Sequence, residues 1–179
     1  MDNYWSTIIW KQFAAAIDML EGALRACPAK LWDARLWTDS AQEHEGSQFW
    51  SMAFDVLFFL DFYLSGKEEG YTLPAPFKFV GTEQEKHPER MYTKDELFAY
   101  LAHGRAKCKD TLLALTYEKA SQPCGFYWLK ISIGELHLYN MRHVQEHGAQ
   151  LNMFLGQQIN LSNTWLAQAK SISPEGESV

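Results

Sequence analysis

The sequence predicts an all-α fold, a four-helix bundle with long connections. Three observations carry that prediction. Apolar residues recur at three- and four-residue steps in four separate stretches. Two Ser/Thr-x-x-Glu signatures mark helix starts, and no stretch has convincing strand character. A chain of 179 residues with 47% hydrophobic and 21% charged residues suits one folded domain spanning 1–179 with a single substantial core. The last residues, from about 171, read as a solvated tail. No internal repeat or low-complexity tract interrupts the pattern.

The first helix is expected over about residues 4–26. Ile9, Phe13, Ile17, Leu20 and Leu24 share one face, and Cys27-Pro28 should end it, because the residue before proline is pushed out of the α region. The segment from Leu31 to Glu45, with Trp32, Leu36 and Trp37, reads as a loop packed on the helices. Ser47 is the expected N-cap of the second helix, which runs to about Leu64 and is apolar nearly all round. Two carboxylates interrupt it. Asp55 lies mid-helix between Phe54 and Val56, where an ionised group is costly unless it is paired, hydrogen-bonded or metal-bound. Asp61 lies nearer the end, where solvent or a lysine is expected to serve it.

After Ser65-Gly66, about 28 residues with little periodicity are punctuated by Pro74, Pro76 and Pro88. Tyr71, Leu73, Phe77, Phe79 and Val80 should pin this connection to the helices. Thr93-Lys94-Asp95-Glu96 is a capping box, and Leu97, Leu101, Gly104, Cys108, Leu112 and Leu115 mark the inner face of the third helix, which should fray near Tyr117 to Ala120. Ser132 to Glu135 is a second capping box opening the fourth helix, expected to end near Gly156. Beyond it, Ile159 to Lys170 reads as a further short helix or arm carrying Trp165 and Leu166.

The chemistry gathers on that fourth helix. At 3.6 residues per turn, Ile133, Leu136, Asn140, His143, His147, Leu151 and Phe154 fall within one face, so His143 and His147 stand one turn apart, about 6 Å along the axis. Imidazoles at i and i+4 on an inward face can share one metal ion. In a bundle, such sites are completed from a facing helix, and Asp55 is the conspicuous buried carboxylate available. Three accounts of Asp55 stand at this point: a two-His, one-Asp metal site, a metal-free Asp–His pair, and an ion pair with a Lys or Arg of another helix.

The segment R-H-V-Q-E-H-G-A-Q-L-N (142–152), within Gly134 to Leu155, resembles the last helix of the DinB/YfiT-like superfamily of metalloenzymes. F-W-S-M-A-F-D-V-L-F-F-L-D-F-Y-L-S-G (49–66) resembles its second helix, and the proline-bearing loop followed by Y-T-K-D-E-L-F-A-Y-L (92–101) also fits. The resemblance extends from the first helix to about Gln158. It implies a four-helix bundle holding one divalent metal by three histidines, two of them matching His143 and His147. The position matching the third is Asp55. This departure leaves two expectations, a site with altered preference among Zn, Ni, Fe and Mn, or a member that has lost its metal. The resemblance also implies a thiol-dependent transferase or a hydrolase acting on a small molecule. Tyr139, one turn before His143, and Asn140 and Gln150, flanking the same face, are candidates for orienting substrate or water. Glu146 reads as a solvated helix charge. The alternative is a non-catalytic helical protein acting as a homodimer or partner-binding module, to which Trp5, Trp10 and Trp165 would contribute an interface.

Composition narrows the rest. The net charge is −6, from 16 basic and 22 acidic residues, and no basic run suggests nucleic-acid binding. The most apolar segment, Phe49 to Leu64, is about 16 residues with two aspartates inside, too short and too charged to span a bilayer. No secretory signal is visible at the N-terminus, and three unpaired-looking cysteines, Cys27, Cys108 and Cys124, suit a reducing, cytoplasmic setting.

Overall fold

A computed structural model describes residues 3–37, 47–82, 86–161 and 164–169. The fold is all-α. Its elements are α1 (Asn3–Ala26), α2 (Phe49–Leu64), α3 (Lys94–Leu113), the single turn α4 (Tyr117–Ala120) and α5 (Ile133–Ile159). Two strands of two residues each, β1 (Phe79–Val80) and β2 (His87–Pro88), pair antiparallel in the long connection. Both α1 and α2 pack against α3 and against α5. No described helix is long and apolar enough to cross a membrane.

Side-chain caps start α3 and α5 as the sequence predicts. Thr93 Oγ1 accepts from the Glu96 amide while the Glu96 carboxylate accepts from the Thr93 amide, and Ser132 with Glu135 repeats the arrangement. Each box satisfies two of the free N–H groups of a helix start. Arg90 joins the Glu96 carboxylate and, with the Thr93 donors, holds it down at about 2.

The start of α2 differs from the expectation. Ser47 is not its cap. Its hydroxyl is buried without a hydrogen-bond partner, and Gln48 precedes the helix without capping it. The first helical N–H groups are satisfied instead by distant carbonyls: Phe49 N–H donates to Ala34 O at 3.0 Å, and Trp50 N–H to Trp32 O at 3.0 Å. The indole of Trp32, in turn, donates to Tyr92 O at 2.9 Å. The segment expected to pack as a loop therefore does so, although Trp37 is exposed and the part over 38–46 lies outside the described residues.

The ends of the later helices also shift. The third helix does not fray through Tyr117–Ala120. It stops at Leu113, and those four residues form a separate turn capped by Thr116. The last helix continues past Gly156 to Ile159, where Asn160 takes the left-handed conformation that ends many helices. The segment after it, among its described residues, is an arm and not a helix. It lies against α1, with Gln12 Nε2 donating to Ala167 O and Ala169 N–H to Lys11 O.

Two features hold the long connection down. Phe77 is buried in an aromatic cluster, stacked on Tyr100 at 4.5 Å and edge-on to Tyr92 at 4.8 Å. Asp61 supplies the other anchor, and of the two partners expected for it, solvent or a lysine, the structure gives the lysine: the carboxylate is 1% exposed. Tyr71 from the connection donates to it at 2.7 Å and Tyr100 from α3 at 3.2 Å. The expected lysine is present, since Lys107 of α3 forms an ion pair with Asp61, and His103 Nε2 lies 3.4 Å away. A buried charge with this many donors ties α2, α3 and the connection together.

Candidate metal centre

The α2 and α5 helices run antiparallel, because ascending positions on one meet descending positions on the other. Phe49 lies by Phe154, Leu60 by Asn140 and Tyr63 by Tyr139. A hydrogen bond fixes the axial register: Asn140 Nδ2 donates to the Leu60 carbonyl at 3.0 Å. With that pin in place, Asp55 comes opposite the two histidines. One donor atom from each of Asp55, His143 and His147 lies within 4.8 Å of the others. The ring centroids of His143 and His147 are 4.5 Å apart and inclined at 73°.

Each of the three residues has a free donor atom. Asp55 makes no hydrogen bond or ion pair among the described residues. It is half-buried, not the buried carboxylate the sequence suggested, yet the protein atoms crowded around it desolvate the carboxyl enough to push it up to about 6 against the pull of His147. Burial, aided by the neighbouring His147, pushes the His143 imidazole down to about 4. His143 is therefore neutral at pH 7, the form that binds metals, and its Nδ1 is buried without a partner. His147 donates from Nδ1 to Gln150 Oε1 at 2.7 Å, which leaves the Nε2 lone pair available. Bonds of about 2.0–2.2 Å in a tetrahedral site put neighbouring donors about 3.4 Å apart, so rotations of roughly an ångström at the donor atoms would close this triad on one ion. The donor set fits a divalent metal.

Aromatic rings enclose one side. Phe59, one turn after Asp55, meets His143 edge-on at 5.3 Å, and Tyr63 meets it at 6.4 Å. The Tyr63 phenol is pushed up by burial first, then by Tyr139 and by the Asp55 charge. Phe59 and Tyr63 follow Asp55 by four and eight residues, a spacing that puts them on its face.

The three candidates for orienting substrate or water separate. Gln150 touches His147 directly. Tyr139 sits edge-on to Tyr63 at 5.4 Å, one ring removed from His143. Asn140 is fully buried and spends its amide on Leu60, a structural contact. Glu146 is exposed as expected, and the three cysteines are free. The chain matches no protein-family model, no curated protein and no solved structure.

Proposed function

We propose that the chain is a DinB/YfiT-like four-helix bundle that binds one divalent metal through Asp55, His143 and His147 and uses it in thiol transfer or hydrolysis. The observation that carries this reading is the convergence of three donor atoms within 4.8 Å from two facing helices. Two imidazoles and one carboxylate suit Zn, Ni, Fe or Mn and leave coordination positions open. When bound, such a metal lowers the pKa of a coordinated water or thiol and supplies a nucleophile at neutral pH.

The chain's own residues do the rest. Gln150 holds the His147 ring in one tautomer and orientation. Phe59 and Tyr63 cover one flank of the imidazoles and exclude water there. Asp55, whose charge is disfavoured by burial, gains a partner that stabilises its ionised form.

A rival reading is an Asp55–His147 pair without metal in a non-catalytic homodimer, favoured by the electrostatic pull between those two groups. Metal content of tag-free protein decides between them. Near-stoichiometric metal that is lost in both Asp55→Ala and His147→Ala supports the triad. Absence of metal after growth in Zn, Ni, Mn and Fe overturns it. Turnover of low-molecular-weight thiols by the metal-loaded protein then separates an enzyme from a binding protein.

A further inference from the structure

The buried face of α5 extends beyond the His143–His147 face, sharing Asn140 and Leu151 with it and adding His137, Val144, Gly148 and Leu155, all buried. The histidine at its N-terminal end is anomalous. It is 2% exposed, yet neither ring nitrogen has a hydrogen-bond partner. A neutral imidazole offers one donor and one acceptor, and burying both unmet is unfavourable. It lies six residues before His143, about 9 Å along the helix.

His137 is among the residues around an open pocket of about 260 Å³ where α2, α3, α4 and the start of α5 meet, with both ring nitrogens just behind the wall. Thr111 and Gln122 add neutral polar groups to that wall, and Lys67 and Lys119 add positive charge. Among the described residues, no aspartate or glutamate lines it. Lys119 makes no ion pair among the described residues, and Lys67 has only the exposed Glu69 at 3.9 Å. In a chain of net charge −6, this is a local concentration of positive charge around an unsatisfied donor.

The wall is held by backbone contacts. Gly125 N–H donates to Gly66 O at 2.8 Å, and a Cβ at Gly125 would stand 2.3 Å from Lys67 Cβ, so only glycine lets the two segments meet. Ile133 N–H donates to Gln122 O at 2.8 Å, fixing the other side. The volume exceeds that of a single water several-fold, a water's share of the liquid being about 30 Å³.

We propose that this pocket is a second ligand site, separate from the Asp55–His143–His147 cluster, and that it takes a small oxyanion, a phosphate or carboxylate group. His137 donates its N–H once its ring turns through the wall toward the ligand, Thr111 supplies a hydroxyl, and Lys119 and Lys67 balance the charge. Burial and the Lys119 charge keep His137 neutral, so one ring nitrogen always carries a hydrogen to donate.

The test follows the His137 ring nitrogens by NMR while inorganic phosphate, and separately acetate, is added to chelator-treated protein at constant ionic strength. Saturable shifts, weakened about tenfold or more by the exposed-site variant Lys119→Ala and retained in Asp55→Ala, support the site. A response to phosphate alone assigns a phosphate site, and one to acetate as well assigns a carboxylate-tolerant one. Shifts reproduced by chloride, or unaltered by Lys119→Ala, overturn the proposal and leave His137 bonded to internal water. Loss of the response only in Asp55→Ala also overturns it, by placing the anion at the metal centre. Because the Lys119→Ala comparison involves no metal, failure here leaves the metal reading standing.

Discussion

The His147 Nδ1–H group donates to Gln150 Oε1 at 2.7 Å, three residues on along the same helix. This contact chooses which imidazole nitrogen keeps its lone pair. Gln150→Ala should therefore weaken metal binding about 10–100-fold, the usual cost of losing such a partner, without unfolding the protein. Gln150→Glu, which keeps the acceptor, should restore most of the affinity. Competition with a chromophoric chelator measures both.

Asp55 provides a test of the metal-free state. Its folded carboxyl titrates at about 6 against an ordinary 3.8, so the folded protein holds the proton more tightly than the unfolded chain. The sign follows from that. Its ionisation costs nothing below pH 3.8, and stability is lost as pH rises through 6. In chelator-treated protein, Asp55→Asn should raise stability at pH 7 and flatten its pH dependence between those values. Urea unfolding across that range is the measurement. With metal bound, the same variant should lower stability, because the ligand is gone.

His137 should act in the opposite sense. Its pKa falls from 6.5 to about 4 on folding, chiefly through burial. The neutral form is the folded one, so its contribution is intact above pH 6.5 and is lost as pH falls through 4. His137→Leu should move the acid-unfolding midpoint to lower pH while leaving metal content at the Asp55 cluster unchanged. Circular dichroism during an acid titration reads the midpoint.

The Asp61–Lys107 pair is an internal ion pair and should behave as one. Removing either partner strands the other. Lys107→Met should cost about 3–5 kcal/mol, and Asp61→Asn should cost less because it keeps acceptors for Tyr71 and Tyr100. The double variant should recover part of the loss. Denaturant midpoints of the three proteins test this.

Phe77→Ala should loosen the connection as well as the core. It removes a buried ring stacked on Tyr100, a loss of about 3–5 kcal/mol. Proteolysis near β1 and β2 should quicken in this variant before global unfolding does.

Local chemistry was readable from the sequence, and distant chemistry was not. The capping boxes at Thr93 and Ser132 need only residues three apart, and both form as predicted. The face of α3 was equally legible, since Leu97, Leu101, Gly104, Cys108 and Leu112 are all buried on it, while Leu115 is buried just beyond the helix end. Ser47 failed as a cap because carbonyls of Ala34 and Trp32 reach the helix first. For Asp61 the lysine alternative holds, while the particular donors, on α3 and at Tyr71, are not adjacent in sequence and could not be read from it. The approach of Asp55 to His143 and His147 was one of three accounts that helix faces and the cost of burying a charge left open, and the family resemblance singled it out. The part of Gln150 emerged only with geometry, and His137 was missed because it lies where the buried face of α5 extends beyond the His143–His147 face.

The borrowed cap of α2 bears on how the site could be moved or copied. The first N–H groups of that helix lean on two main-chain carbonyls, Ala34 and Trp32, supplied from before it, while the Asn140–Leu60 bond holds Asp55 level with the histidine pair. Grafting α2 and α5 into another scaffold would carry every donor atom and that bond, and would still leave the start of α2 without partners. A portable version of this centre must include the segment around residues 32–36 to close off the helix that bears Asp55.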